Sequence, residues 1–271
     1  MRKLTTLLFL FISFNAFSQI DLVKVAADLS EEGKYLYQLE MAAWSGSDIF
    51  NKSFKEPQRI GGYFSFMDGN RPKCLFFSKG EKPRVIGVVS FGDIGVVETA
   101  TIDFKERDFR NFEQELFVIR SKAFTQVQQD TLFKAYNNTN LNLIPIIRNG
   151  AKKVYALTAP KVTGVVLFGN DYLLTFDKNN NLSGKRKLHR NLIPIKYDDK
   201  EEAIASVHSH AEGTDEFITP TDICTLMLYA KYAGWKQHIV MSQGYVSIWD
   251  CEKNSLEIMT RNDFEKMKRI D

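Results

Sequence analysis

The sequence predicts an α+β protein in which antiparallel or mixed sheets pack against helices. Three observations predict it. Short runs of β-branched and aromatic residues recur between turn signals, apolar residues repeat at helical spacing in a few separate places, and no internal repeat or low-complexity tract interrupts them. With 271 residues, 44% hydrophobic and 25% charged, the chain is long and apolar enough to bury one large or two modest cores.

The chain opens with Arg2 and Lys3 ahead of the apolar run 4–17, and Ala16 and Ser18 place small side chains before Gln19. This reads as a cleavable signal peptide over 1–18, with an apolar run too short to span a bilayer comfortably. The mature protein is therefore expected to be exported, periplasmic or extracellular, with no stable membrane anchor after cleavage. Next, Ser30 to Trp44 has helical spacing, with Tyr35, Leu36, Leu39 and Ala43 on one side. The runs Gly62–Met67, Cys74–Ser78, Val85–Phe91 and Val96–Asp103 predict an antiparallel meander. Phe109, Phe112, Leu116, Ile119, Ala123 and Val127 then recur at three- and four-residue steps, which predicts a helix covering that sheet. Residues 19–138 make up this N-terminal α+β module.

The Asn-rich stretch Tyr136 to Asn142 is the candidate linker, because Asn favours turns over regular backbone pairing. A second domain, 139–271, follows. Its predicted strands are Val154–Leu157, Gly164–Phe168 and Tyr172–Phe176, with Asp177 to Asn181 as a hairpin turn. Ala203–His210 is a further strand. A helix from Pro220 to Ala233, ended by Gly234, leads to a hairpin of His238–Met241 and Val246–Asp250, and Phe264, Met267 and Ile270 mark a short last helix.

Charge and cysteine content narrow the partners. Lys and Arg total 36 against 33 Asp and Glu, a net +3, and the clusters Lys152-Lys153 and Lys185-Arg186-Lys187 are short. Nucleic acid is not an expected partner, since its affinity rests on dense basic surfaces. Cys74, Cys224 and Cys251 can form one disulfide at most, either Cys224–Cys251 or none, and no C-x-x-C is present.

The chemical clue is Val207-His208-Ser209-His210, followed by Thr219-Pro220-Thr221-Asp222. On a strand, side chains two apart share a face, so His208 and His210 present both imidazoles to one point. Asp222, at a helix start, can return to that point and add a carboxylate. Three ligands of this kind leave the fourth zinc position to water, which the metal makes ionisable near neutral pH. The same Thr-Pro-Thr-Asp is also a capping box, with Thr219 as N-cap and Pro220 at the first helical position. Capping alone and capping with ligation both stand. His189 and His238 lie outside the pattern and are expected to be ordinary satisfied or exposed histidines.

From roughly Ala203 to Asp250 these residues resemble the JAB/MPN (JAMM) zinc peptidases, whose signature is H-x-H-P with seven residues between the second His and a Ser, then x-x-D. The resemblance implies zinc held by His208, His210 and Asp222, a C-terminal JAB-like domain, and Thr219 in place of the Ser that stabilises the oxyanion. It also implies an upstream Glu as general base on the zinc water. The departures are Ala211 for the proline, eight residues between His210 and Thr219, and Lys161 at the position matching the Glu. Glu40, Glu56 and Glu212 are the replacement candidates. Two functions follow: an exported zinc-dependent peptide or isopeptide hydrolase, or a non-catalytic interaction protein that keeps the fold without the base, with a peptide or protein as substrate or partner. The metallo-β-lactamase pattern H-x-H-x-D-H fails at Glu212 and Gly213, and neither a phosphate loop nor a G-x-S-x-G elbow is present.

Overall fold

A computed structural model describes residues 20–92, 97–197 and 204–267. The expected signal peptide, 1–18, lies outside the described residues, as do Val96, Ala203 and Ile270. The fold is α+β. The first helix, α1 (Leu22–Ser53), starts on an N-cap in which Asp21 accepts from the Lys24 N–H. It is longer than the predicted Ser30 to Trp44. Ala26, Gly33, Leu36, Leu39, Ala42, Gly46 and Phe50 form its buried stripe, at steps of three, four and seven residues.

The predicted meander is present as β1 (Ile60–Asp68), β2 (Arg71–Ser78), β3 (Val85–Ser90) and β4 (Thr101–Asp103), paired in that order and antiparallel. Its last strand is shorter than expected, because 97–99 turn as a 3-10 helix. The second helix, α2 (Asn111–Gln129), puts Leu116, Ile119 and Ala123 into one cluster with Phe64, Leu75 and Phe77 of the meander. The same cluster takes Val154, Ala156 and Leu174 from a second sheet, so one core joins side chains from both sides of residue 138.

That second sheet runs β5 (Thr139–Arg148), β6 (Ala151–Pro160), β8 (Tyr172–Phe176) and β9 (Leu182–Lys187) in spatial order. Its first strand begins inside the predicted linker. Asn140 and Asn142 pair opposite Ala159 and Leu157, and the Asn142 amide donates to Glu40 at 2.9 Å, so the ladder and a helix on the far side of the linker satisfy both asparagines. Between β6 and β8, β7 (Val165–Gly169) pairs with β10 (Leu192–Lys196) in a two-stranded sheet.

The last sheet holds β11 (Ala205–Ser209) parallel to β12 (Gln237–Met241), followed by β13 (Tyr245–Asp250) and β14 (Ser255–Thr260), both antiparallel. The parallel pair requires a crossover, and α3 (Pro220–Tyr229) supplies it. A short α4 (Arg261–Met267) ends the described chain. All three cysteines are free thiols, Cys74 and Cys224 buried. Among the described residues no helix is long and apolar enough to cross a membrane.

One contact seats the C-terminal site on the N-terminal helix. At Gly33, α1 presses on the first turn of α3 so closely that a β-carbon there would stand 2.5 Å from Ile223 Cβ and 3.2 Å from the Pro220 carbonyl. Neither atom is the free end of a flexible chain. We predict that Gly33→Ala destabilises the protein by up to about 2 kcal/mol in urea unfolding, the excess of an overpacking cost of about 1–3 kcal/mol over the roughly 1 kcal/mol gained in helix propensity. An unchanged or raised urea midpoint would contradict this packing.

Candidate metal centre

Three chain segments deliver four side chains to one point. His208 comes from the end of β11 and His210 from the residue after it, and their strand spacing turns both rings inward as the sequence implies. Asp222 comes from the third position of α3. The fourth is His189, from the turn between β9 and β10, which lay outside the sequence pattern. The four side chains are each 2% exposed or less.

His189 reaches the point because Gly169 lets its turn approach β7. Gly169 sits at φ +78°, and a β-carbon there would lie 2.2 Å from the Asn191 carbonyl oxygen and 3.1 Å from His189 Cβ. Only glycine fits both the conformation and the space. Leu188 anchors the same turn, fully buried and donating its N–H to the Asp171 carbonyl at 2.9 Å.

The donor atoms have the spacing of a coordination shell. His208 Nε2 and His210 Nε2 are 3.1 Å apart, His210 Nε2 and His189 Nε2 3.0 Å, and His189 Nε2 stands 3.0 Å from Asp222 Oδ1. His208 Nε2 lies 3.8 Å from Asp222 Oδ1, and His210 Nε2 3.6 Å from Oδ2. Ligands about 2.0–2.1 Å from a tetrahedral metal are separated by about 3.3–3.4 Å. The His210 ring is also oriented by its other nitrogen, since Nδ1 faces the Asp215 carbonyl at 2.8 Å and must donate to it. A neutral His210 then turns a bare Nε2 lone pair toward the other rings, as a metal requires.

Asp222 closes the cap and also faces the imidazoles, its Oδ2 lying 3.2 Å from His189 Nε2. Oδ2 accepts from the Thr219 N–H and hydroxyl, both at 2.8 Å, closing the capping box. Oδ1 is buried and receives no hydrogen bond, although it faces the imidazoles. An orphaned carboxylate oxygen in a ring of imidazole nitrogens is what a cation would satisfy. Thr219 is fully committed to this cap, donating to Asp222 and contacting the Thr221 hydroxyl at 2.9 Å.

A second layer supports the rings. His208 Nδ1 meets His238 Nε2 at 2.8 Å, and His238 Nδ1 meets the Ser206 hydroxyl at 2.6 Å. His238 is therefore a supporting group rather than an isolated histidine, and it stacks on Phe168 with ring centres 4.7 Å apart. Behind His189, Asp171 Oδ2 lies 4.0 Å from Nδ1, beyond hydrogen-bond reach, so it acts on the ring by charge alone. Metal-bound imidazoles are commonly held by outer partners of these kinds.

Burial and the charge of Asp222 pull the rings in different directions. Burial, with neighbouring rings adding to it, holds His208 well below its ordinary value. Burial likewise pushes His238 down to about 4. Burial works against charge on Asp222 too, yet the facing histidines outweigh it and hold the carboxyl well below the usual range. His189 is disfavoured as a cation by burial, but the charge of Asp222 prevails and raises it to about 9. Burial lifts Asp171 to about 7, partly opposed by His189.

None of the expected general bases joins the cluster. Glu56 is exposed and paired with Arg59 at 3.0 Å, and Glu212 is exposed in the loop after His210. Glu40 lies on α1 against Asn142, lining a cavity that also touches Leu228 and Tyr229 at the other end of α3. Lys161 is exposed on the rim of the same cavity. Apart from Asp222, the carboxylates acting on His189 are Asp171, behind its ring, and Asp215, which pairs with Arg186 at 2.7 Å. Comparison with family models, curated proteins and solved structures finds no match to the chain.

Two outcomes follow. Gly169→Ala pushes the His189 turn away, and His238→Ala removes the support of His208, so each is expected to weaken divalent-metal binding about 10–100-fold. Chelator competition measures it; wild-type affinity in both variants would refute the assigned geometry. Glu40 titrates apart from the cluster. Burial raises its carboxyl from 4.5 to about 7, and the Asn142 hydrogen bond only partly opposes this. Raised above its unfolded value, this group favours the fold at low pH and loses that advantage between about pH 4.5 and 7. Discounted for a solvent-lined cavity, the loss is about 2 kcal/mol. Glu40→Gln is expected to gain that much on wild type across this window, and parallel stability–pH curves would disprove it.

Proposed function

We propose that the chain is an exported binding protein whose buried His189, His208, His210 and Asp222 hold a zinc ion as a structural clasp, on a C-terminal domain resembling the JAB/MPN peptidases. The observation that carries this reading is the fourth protein ligand. Catalytic zinc keeps three protein ligands and an open position for water, whereas structural sites are filled by four. His189 takes the position that the H-x-H and Asp pattern alone would leave to water. The ligand side chains are enclosed, and the carboxylates nearest the rings are already used as ligand, as outer support or in an ion pair.

Zinc suits the donors better than the common alternatives. Three imidazoles and one carboxylate form a small mixed nitrogen and oxygen set, while calcium and magnesium prefer six or more oxygens. The clasp also makes structural sense. It ties the turn before β10, the end of β11 and the start of α3, three segments with no continuous ladder among them. The expected partner is a peptide or protein, and export rests on the signal-like residues 1–18.

A second reading, zinc-dependent hydrolysis of a peptide or isopeptide bond, is favoured by one observation. His208, His210 and Asp222 converge from a strand end and a helix start, in the order the JAMM resemblance implies. It requires His189 to yield its position to water and Thr219 to release its cap.

Metal loading separates the two. The mature protein is expected to bind one zinc, measured by elemental mass spectrometry, and His189→Ala to bind it more weakly. With zinc about 1,000-fold above its dissociation constant, chelation should lower stability by about 4 kcal/mol. No chelator-sensitive cleavage of peptide or isopeptide substrates is expected. Cleavage that is lost on chelation and in His208→Ala would make the hydrolase the correct account, and a protein that takes up no zinc would end both.

A further inference from the structure

Away from the metal centre, α1, β1, β5 and the far end of α3 enclose a cavity of about 710 Å³. That volume lies in the range of small-ligand sites. Its walls are largely aromatic and aliphatic, including Trp44, Tyr63, Ile144, Tyr197, Leu228 and Tyr232. Trp44, Tyr63 and Tyr232 are also among the exposed large side chains of the molecule, so the cavity opens to solvent along an aromatic edge.

One group in this wall lacks what its chemistry requires. The Arg120 Nε is buried with no hydrogen-bond partner, and among the described residues no ion pair neutralises its guanidinium. Burial accordingly pulls Arg120 below its ordinary value. Glu40 lines the same cavity, but its carboxyl takes its hydrogen bond from Asn142 at 2.9 Å and is itself held toward the neutral form by burial. Lys161 adds a second cation at the exposed edge. The cavity is thus apolar, positive and short of one anion. A guanidinium matches a carboxylate with two parallel hydrogen bonds, and desolvation makes that pairing stronger than on an open surface.

We propose that this cavity binds an organic carboxylate on an apolar or aromatic body, with Arg120 as the anion-pairing residue and the Trp44, Tyr63 and Tyr232 rings receiving the body. Two sources share this chemistry, a small free acid and the C-terminus of a peptide. The site stands at the opposite end of α3 from the histidine cluster, so it does not depend on the metal reading.

Calorimetric titration of the full mature protein tests it, with 3-phenylpropionate, its amide, the dipeptide Gly-Phe and Gly-Phe-amide as probes. At least one acid is expected to saturate below 10 mM and its amide to bind at least tenfold more weakly. Tighter binding of 3-phenylpropionate assigns a free acid, and tighter binding of Gly-Phe assigns a peptide end. Arg120→Gln is expected to weaken the acid at least tenfold. Without ligand it should melt at or above wild type, because it removes a buried unpaired charge. Failure of both acids to saturate, equal binding of acid and amide, or undiminished binding by Arg120→Gln would overturn the proposal. The acid and amide comparison on wild type decides it even if Arg120→Gln does not fold.

Discussion

The Asp222 carboxylate is the constraint on which the C-terminal half of the molecule depends. One oxygen closes the N-terminus of α3 through Thr219 and lies nearest His210, and the other faces His189 and His208 without a hydrogen bond. Neither task leaves the other free to move. The cap fixes the helix start, which fixes where the second oxygen points, and the three imidazoles must come to it from two further segments. Burial of a carboxylate is tolerable only with compensating charge or hydrogen bonds, and here the compensation is divided between a backbone cap and a ring of nitrogens.

The N-terminal half holds that constraint in place. The long α1 lies against the meander through Phe50 and Ala42 and against α3 through Gly33, where the Ile223 side chain leaves no room for a β-carbon. The helix that carries Asp222 is therefore wedged between its own sheet and an element from the start of the chain. The same wedge creates the aromatic cavity, since α1 and β1 form one wall and the end of α3 another. The histidine cluster and the cavity lie at opposite ends of α3, and Asp222 and Leu228 are about 9 Å apart along its axis.

Three of the four side chains of the site were legible in the sequence, through local periodicity and capping. His208 and His210 share a face because strands alternate, and Asp222 announces its position through a capping box, so local rules place all three. His189 obeys no such rule. It sits alone between basic residues, and only the tertiary approach allowed by Gly169 brings it to the others. Because it was missing, three ligands and a water were expected where four candidate ligand side chains converge. The meander and α2 were similarly visible from their spacing. The full length of α1 was obscured by Gly46 and its neighbouring serines, poor helix formers kept where the helix presses against Cys74. Asn140 and Asn142 read as linker by composition, but a strand partner and Glu40 satisfy them.

The claim that the centre is closed by four protein ligands is tested most directly by X-ray absorption at the zinc edge of the loaded protein, with His189→Ala alongside. The account predicts a four-coordinate first shell of nitrogen and oxygen, with the multiple-scattering signature of three imidazoles in wild type and two in the variant. A wild-type spectrum showing two imidazoles, unchanged by His189→Ala, would contradict it and return the fourth position to water.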